Sequence, residues 1–322
     1  METSIPVPNR IPLLFNPNAR SQRGRKTLRF LMANAQRFAL YATRDVDDAR
    51  QLAQKLANDG EPIVCAAGGD GTLNAVVQGL AGSSCVLGVL PAGTMNVFAR
   101  ELGIPYNSLS KALEIIQDGN VREVDLFEAN QKPFLQMAGV GFDAKVIEET
   151  SSGSKNLIGP FAYLGPAVRV LGQQPPKVTV TCADGRVEEG VCMLAGNGSL
   201  YGGQVKLFRK ADNDDGLLDA LIFKHSGIPF IRDSLLGLAT GALDTEKSSI
   251  TYLQSESFTI ESDAQLPLQV DGEYAGRAST FKLCPTGRKL RVLAPSCVKE
   301  NWLQNIIREI VKRSPRHNKI TS

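Results

Sequence analysis

The segment Gly68-Gly69-Asp70-Gly71-Thr72 carries the strongest chemical signal in the chain. It follows a buried strand predicted over Pro62–Ala67 and opens a helix predicted over Leu73–Leu80. Glycines let backbone N–H groups approach phosphate oxygens closely, and the N-terminus of a helix favours negative charge. Asp70 can orient Mg²⁺ or a water near such phosphates, and Thr72 offers a hydroxyl in the first turn. The segment therefore predicts phosphate binding, with tight packing of a strand-to-helix turn as the alternative.

This loop differs from the two best-known phosphate-binding motifs. No Gly-Lys-Ser/Thr follows it, so it is not a Walker loop. It also lacks the Gly-x-Gly-x-x-Gly spacing of the dinucleotide fingerprint.

A second loop, Pro91–Asn96 (PAGTMN), repeats the pattern one β-α unit later. In a parallel sheet both loops leave the carboxyl ends of strands, where ligands bind. We therefore expect Thr94 and Asn96 to face the same nucleotide as Thr72. Thr43 ends an earlier strand and reaches the same edge.

Two segments further along the chain are rich in carboxylates. The run Ala211–Leu217 (ADNDDGL) places three carboxylates near a turn, which suits a hard cation that takes oxygen ligands. A solvated acidic turn is the alternative there. The sequence Val270–Glu273 (VDGE) follows a β run, and taken alone it favours an Asp-Gly hairpin turn.

The elements that must position these residues fall into two sets. Up to about residue 120, short apolar strands alternate with helical segments, which predicts a parallel sheet with helices on its faces. After Val121, short runs with period-two or apolar patterns predict a mostly antiparallel β structure. We therefore expect an α/β nucleotide-binding domain over residues 1–125 and a β-rich domain over 126–297. A helix is predicted over Ile228–Thr240, and the strand Arg288–Leu293 can pair with either domain.

Residues 298–322 form a third segment. Trp302, Ile306 and Ile310 fall four apart and form an apolar stripe on a helix. Between Lys299 and Lys319 there are six Lys or Arg residues against two Glu. The segment is either a helix docked on the body with a solvated basic tail, or a helix that rests on anionic lipid.

Composition excludes several classes of function. A net charge of +3 is too small to imply nucleic-acid binding. The six cysteines include no Cys-x-x-Cys pair and there are only two histidines, so a thiolate or imidazole metal cage is not expected. Cysteines in apolar runs are typical of a reducing compartment. We expect no signal peptide and, because no apolar stretch reaches about 18 residues, no membrane span.

Taken together, four motifs resemble the diacylglycerol kinase catalytic superfamily: GGDGTLN at Gly68–Asn74, PAGTMNVFARELGIP at Pro91–Pro105, DGLLD at Asp215–Asp219 and VDGE at Val270–Glu273. The similarity is closest to the soluble bacterial diacylglycerol kinases and their phosphatidylglycerol-kinase-like and sphingosine-kinase-like relatives. It covers about Ile11 to Ala294, with the motifs in the family's order. It implies an ATP- and Mg²⁺-dependent lipid kinase of two domains, with diacylglycerol as the first candidate acceptor.

The resemblance also implies roles for individual residues. Asp271 would be the general base that accepts the lipid hydroxyl proton, with Glu273 beside it and Asp70 as the third catalytic residue. Asp212, Asp215 and the Leu217 carbonyl would hold a structural Mg²⁺. The nucleotide site would be lined by a larger set from the first domain, namely Asn16, Thr43, Gly68, Gly69, Asp70, Gly71, Thr72, Asn74, Thr94 and Asn96.

Several alternatives remain for the acceptor and the partners. Sphingosine kinases typically have Ser-Gly-Asp-Gly in the first loop, whereas Gly68–Gly71 here favours a glycerolipid, with phosphatidylglycerol or a sphingoid base as alternatives. An NAD kinase shares the GGDGT loop, but the downstream Asn-Glu pair that it predicts is missing from the nucleotide-binding domain. A non-catalytic nucleotide- or lipid-binding protein is the remaining alternative. We expect a cytoplasmic protein in peripheral contact with the inner face of the membrane, and a homodimer is left open.

Overall fold

The computed structural model describes residues 3–17, 22–141, 144–145, 147–148, 175–203, 205–225 and 249–296. The helix predicted over Ile228–Thr240 and the segment 298–322 lie outside the described residues, so both stay predictions.

The first part of the chain alternates strands and helices, as the sequence predicts. Its elements are β1 (Thr3–Ser4), β2 (Ile11–Phe15), α1 (Gln22–Ala33), β3 (Phe38–Ala42), α2 (Val46–Asn58), β4 (Ile63–Gly68), α3 (Asp70–Leu80), β5 (Val86–Pro91), α4 (Val97–Glu101) and α5 (Leu109–Asp118). Strands β3, β2, β4 and β5 pair in parallel in that order. The prediction of a parallel sheet is therefore confirmed.

Local sequence explains where these helices begin and end. Asp45 precedes α2, and its carboxylate accepts a hydrogen bond from the Asp48 N–H at 2.8 Å. Ser108 caps α5 in the same way through the Lys111 N–H. Gly119 ends α5 with a φ of 68°, a left-handed conformation that glycine adopts without steric strain.

The rest of the chain is built from strands. They are β6 (Asn120–Ala129), β7 (Lys132–Phe134), β8 (Met137–Val140), β9 (Val178–Cys182), β10 (Val187–Gly190), β11 (Cys192–Gly196), β12 (Leu200–Tyr201), β13 (Val205–Lys206), β14 (Leu218–Phe223), β15 (Ile250–Ser255), β16 (Phe258–Val270) and β17 (Glu273–Leu293). The pairings among these strands are antiparallel. This confirms the predicted second, mostly antiparallel part of the fold.

Strand β17 joins the two parts into one sheet. It pairs antiparallel with β16 and β6, and near its end Val292 pairs in parallel with Leu87 of β5. The main path of the sheet is β15-β14-β11-β8-β16-β17-β5-β4-β2-β3. The strand predicted over Arg288–Leu293 thus pairs with both parts. The boundary predicted near residue 125 falls within β6.

Each part has its own apolar core. One core contains the buried strands β2, β4 and β5 with the helices packed on them, and Leu290 and Val292 of β17 also contribute to it. The other lies among β8, β9, β11, β14, β16 and the first half of β17. Within the described parts of the chain, no helix is long and apolar enough to cross a bilayer.

Candidate active site

The first glycine loop is the turn from β4 into α3. Helix α3 begins at Asp70, three residues earlier than predicted, because the Leu73 N–H already bonds to the Gly69 carbonyl at 3.0 Å. The N–H groups of Asp70, Gly71 and Thr72 therefore lie in the first helical turn, where they have no partner within the helix. This is the geometry that binds phosphate.

The two loops touch each other backbone to backbone. The Ala92 N–H donates to the Gly68 carbonyl at 2.8 Å. A Cβ on Gly93 would lie 2.3 Å from the Gly69 Cα, and one on Gly69 would lie 3.1 Å from the Gly93 Cα. A Cβ on Gly93 would therefore force the loops apart, and one on Gly69 would make an unusually tight contact. The prediction that the two loops share one edge of the sheet is confirmed.

The Asn96 side chain bonds to the backbone of its own loop, the second one. It is fully buried and has a φ of 49°. Its Oδ1 accepts from the Gly93 N–H and its Nδ2 donates to the Gly93 carbonyl, both at 2.9 Å. Thr94, in contrast, is exposed. The buried Asn96 side chain thus shapes the loop, and Thr94 is the residue that the loop presents outward.

Asp70 faces the start of helix α4. Its Oδ1 accepts a hydrogen bond from the Phe98 N–H at 3.4 Å. Burial raises the pKa of Asp70, and hydrogen bonds from the backbone of Phe98, Val97 and Asn96 oppose that rise. The carboxylate therefore anchors α4 to the first glycine loop.

The remaining predicted nucleotide residues lie at or behind the same edge. Thr43 is buried, and both its N–H and its hydroxyl donate to the Phe15 carbonyl, at 2.9 and 3.2 Å. Asn16 follows Phe15 directly and is half-buried. Asn74 is buried within α3, and its Oδ1 meets no donor among the described residues. Asn16 and Thr43 thus reach the predicted edge, whereas Asn74 lies beneath it.

Asp271 lies in the turn that joins β16 to β17. Asp271 and Gly272 have φ values of 47° and 82°, so the Asp-Gly hairpin turn suggested by the sequence is present. The Asp271 carboxylate nevertheless accepts three backbone hydrogen bonds, from the N–H groups of Leu135 and Gln136 at 2.8 Å and of Met137 at 3.0 Å. Asp271 therefore forms part of the hairpin turn and is also the proposed catalytic residue.

The electrostatics of Asp271 suit a base. Burial raises its pKa to about 6, the three backbone donors oppose that rise, and the Asp70 carboxylate adds to it. Among the described residues, Oδ2 accepts only from Leu135, which leaves a lone pair for a substrate hydroxyl. A carboxylate with a pKa near 6 is ionised at neutral pH and accepts a proton more readily than an ordinary aspartate.

Glu273 brings the turn against the first loop. Its Oε1 lies 3.2 Å from the point that a Cβ on Gly71 would occupy. Burial and the Asp47 carboxylate at the start of α2 raise the pKa of Glu273. The first loop and the β16–β17 turn therefore lie against each other, and the start of α2 is near enough for the charge of Asp47 to act on Glu273.

The acidic turn 212–217 is held by residues from elsewhere in the chain. Asp125 accepts from the Gly216 N–H at 2.7 Å and pairs with Lys289 at 3.0 Å. Asp215 Oδ1 accepts from the Leu217 N–H at 2.9 Å. Burial, and after it the neighbouring Asp214, raises the pKa of Asp212.

These contacts bear on the predicted metal site. All its donors are oxygens, and the crowded carboxylates carry negative charge that a cation would offset. Within the described residues, however, no three His, Cys, Asp or Glu side chains converge as a metal site. The proposed set has only two carboxylates, Asp212 and Asp215, with a backbone carbonyl, so it stays a prediction.

Sequence reasoning missed three residues that organise the site. Asp125 holds the acidic turn, Arg23 of α1 donates to the Gly93 and Thr94 carbonyls at 2.5 and 3.0 Å, and Glu101 ends helix α4. Each acts on a segment far away in the chain. Glu101 lies inside the PAGTMNVFARELGIP segment, but nothing in that pattern marks its side chain.

Comparisons with known proteins agree with this arrangement. A family model described as the diacylglycerol kinase catalytic domain matches residues 10–129. Another, described as the YegS C-terminal NAD kinase beta sandwich-like domain, matches residues 136–294.

Named relatives and solved structures match most of the chain. It is 31% identical over 304 residues to a protein named diacylglycerol kinase from Staphylococcus aureus strain MRSA252, a match that covers 92% of this chain and 96% of that protein. A diacylglycerol kinase of strain JH9 is 34% identical over 269 residues, 82% of this chain and 84% of that protein.

Two crystal structures share the fold. One is of a diacylglycerol kinase from Bacillus anthracis, with a TM-score of 0.69, 24% identity and coverage of 90% of this chain and 98% of that one. The other is of an NAD kinase from Archaeoglobus fulgidus in complex with ATP, with a TM-score of 0.51, 9% identity and coverage of 95% and 100%. At these identities the likeness concerns the fold alone.

Proposed function

Because the chain belongs to the diacylglycerol kinase family and is a lipid kinase, we propose that it transfers the γ-phosphoryl group of ATP to the free hydroxyl of diacylglycerol. The product is phosphatidic acid. The relatives that share 31–34% of its sequence are named for this acceptor.

The observation that carries the proposal is the environment of Asp271. Its carboxylate is fixed by three backbone N–H groups, and burial raises its pKa to about 6. The charge of Asp70 in the first glycine loop acts on it, and the neighbouring Glu273 side chain lies against Gly71 of that loop. In this position Asp271 orients the lipid hydroxyl and accepts its proton as the new P–O bond forms and the bond from the γ-phosphorus to the departing ADP breaks, a contribution of about 10²- to 10⁴-fold.

The nucleotide is proposed to lie on the two loops. The first-turn N–H groups of α3 hold the phosphates, because they point outward from the helix and carry its positive end. Phosphoryl transfer depends on positioning and charge stabilisation more than on covalent chemistry, and these fixed donors supply both. Mg²⁺ bound with ATP would offset the charge on the transferred group. Asp212, Asp215 and the Leu217 carbonyl would hold a second, structural Mg²⁺.

Peripheral contact with the membrane is part of the proposal. Helix α1 has no acidic residue, and Arg25, Lys26 and Arg29 are exposed on it. Leu28 and Met32 are exposed beside them, at 38% and 67%. Basic side chains around exposed apolar ones suit an anionic lipid surface.

The test is incubation of the protein with ATP labelled at the γ-phosphate, Mg²⁺ and a panel of acceptors. The panel contains diacylglycerol, phosphatidylglycerol, sphingosine, ceramide and NAD. We expect label in phosphatidic acid. Label in another lipid would keep the mechanism and correct the acceptor. Label in NADP would overturn the proposed transfer to diacylglycerol, and no labelled product would favour a binding protein without turnover.

A further inference from the structure

Helix α4 connects the first glycine loop to the β-rich part of the fold. At its start, the backbone N–H of Phe98 bonds to Asp70 of the first glycine loop. Its last residue is Glu101. The five-residue helix therefore leads from a residue that is bonded to the nucleotide loop to Glu101.

Glu101 belongs to the nucleotide-binding part, but its carboxylate accepts hydrogen bonds from residues of the β-rich part. Its Oε1 accepts from the Ser199 N–H at 3.0 Å and the Ser199 hydroxyl at 2.9 Å. Its Oε2 accepts from the Leu200 N–H at 2.9 Å and from the Gln136 Nε2 at 3.3 Å. Four hydrogen bonds to one carboxylate fix its position closely.

Gln136 continues this path to the proposed base. Its side chain donates to Glu101 and its own backbone N–H donates to Asp271 Oδ1 at 2.8 Å. The residue is buried, so it has little freedom to turn elsewhere. A hydrogen-bonded chain thus runs from Asp70 through α4, Glu101 and Gln136 to Asp271.

We propose that Glu101 is a positioning residue, which acts through Gln136 to hold Asp271 in line with the nucleotide loops. This inference rests on the proposed kinase function. Neither Glu101 nor Gln136 is placed against ATP or the lipid. Their role is to fix the distance between a base on one part of the fold and a phosphate site on the other.

The expected effect follows from the geometry of in-line transfer. A displacement of about 1 Å between reacting groups can lower the rate about 100-fold. The Gln136 N–H is also one of three donors that oppose the rise in the pKa of Asp271. If the Gln136 N–H moves away from the carboxylate, the pKa of Asp271 rises further. The Asp70 carboxylate of the first glycine loop also raises the pKa of Asp271.

Two variants test whether this hydrogen-bonded path positions Asp271 or only stabilises the fold. Glu101→Met removes all four acceptor contacts. Gln136→Leu removes the side-chain bond to Glu101, keeps the backbone N–H of position 136 that donates to Asp271, and leaves the bonds that Glu101 accepts from Ser199 and Leu200 in place. The Gln136 Oε1 meets no donor among the described residues, so replacing this side chain with leucine leaves only the bond to Glu101 unmade. Glu188→Met is the matched control, because Glu188 of β10 is a half-buried carboxylate paired with Lys224.

The measurements are kcat, KM for ATP and the pH dependence of kcat/KM, with thermal unfolding to confirm folding. We expect both variants to lower kcat about 10- to 100-fold. We expect KM for ATP to stay within about twofold and the acidic limb of the pH profile to move to higher pH. Glu188→Met should match the wild type.

Contrary results are distinct from failure of the proposed function. A wild type without lipid kinase activity would refute the proposed function itself. If the wild type is active, a normal kcat in either variant would overturn the inference. This includes the case in which only Glu101→Met loses activity. Reduced activity with an unchanged acidic limb of the pH profile would also overturn the inference, because that result indicates general destabilisation.

Discussion

Replacement of Asp271 by asparagine removes the proposed base with almost no change in shape. With its amide oxygen at the Oδ1 position, the new side chain keeps the hydrogen bonds from Gln136 and Met137. Its NH₂ group then opposes the Leu135 N–H, which donates to Oδ2 in the wild type. That lost bond costs about 1–3 kcal/mol of stability.

A second effect acts in the opposite direction. The pKa of Asp271 rises from 3.8 to about 6 on folding. This corresponds to about 3 kcal/mol that ionisation costs the folded protein at neutral pH, an upper bound because the residue keeps some contact with water. Asparagine avoids this cost. The variant should therefore be as stable as the wild type at pH 7.5, or more stable by up to about 2 kcal/mol.

The sign of the pH dependence provides a check. Because the pKa in the folded protein lies above its unfolded value, the stabilising effect of the bound proton is complete below pH 4 and disappears as the pH rises through about 6. Between pH 4.5 and 7.5 the variant should therefore gain stability relative to the wild type. Thermal unfolding at both pH values measures this difference.

The activity assay decides the mechanism. Turnover of labelled ATP with diacylglycerol in vesicles should fall by about 10²- to 10⁴-fold in Asp271→Asn. ATP binding, measured by calorimetry, should change little, because the proposed phosphate donors are the first-turn N–H groups of α3, which the substitution leaves unchanged. Asp184→Asn, on an exposed carboxylate paired with Arg186 on the β9–β10 hairpin, is the matched control. Turnover within about threefold of the wild type would refute Asp271 as the base.

Three further predictions follow from the site. The acidic limb of the wild-type kcat/KM profile should have its midpoint near pH 6, the pKa of Asp271, and a midpoint below 5 would contradict that assignment. Gly93→Ala places a Cβ 2.3 Å from the Gly69 Cα and should weaken ATP binding about 10-fold or more by separating the loops; unchanged calorimetric affinity would show that the loops move independently. Arg25→Gln with Arg29→Gln should reduce sedimentation with anionic vesicles at low salt while turnover of a short-chain, water-dispersed diacylglycerol stays normal, and equal vesicle binding would remove α1 from the membrane contact.

The sequence was informative wherever the signal was local. The β-α alternation predicted the parallel sheet, because a buried strand and an amphipathic helix each show within a dozen residues. It also predicted the common edge of the two loops, because the carboxyl ends of parallel strands lie together. For Asp271 the two interpretations, a hairpin turn and a functional carboxylate, are compatible in geometry, since the turn conformation aims the side chain at Leu135–Met137.

What the sequence could not show are contacts between distant segments. Asp125 accepts from Gly216, and Glu101 accepts from Ser199. Neither pair has a spacing that periodicity can reveal. The start of α3 at Asp70 was missed for a different reason. Glycines are poor helix formers, so the residue pattern does not show that the helix includes Gly71, whereas the Leu73–Gly69 hydrogen bond does.

The pairing of β5 with β17 has a consequence for how the chain is made. Until the ribosome reaches Val292, β5 has β4 on one side and lacks its β17 partner on the other. At about 5–20 residues per second, that edge stays unpaired for about 10 to 40 seconds after Leu87 is added. Open strand edges recruit other chains. The nucleotide-binding part is therefore synthesised first and completed last.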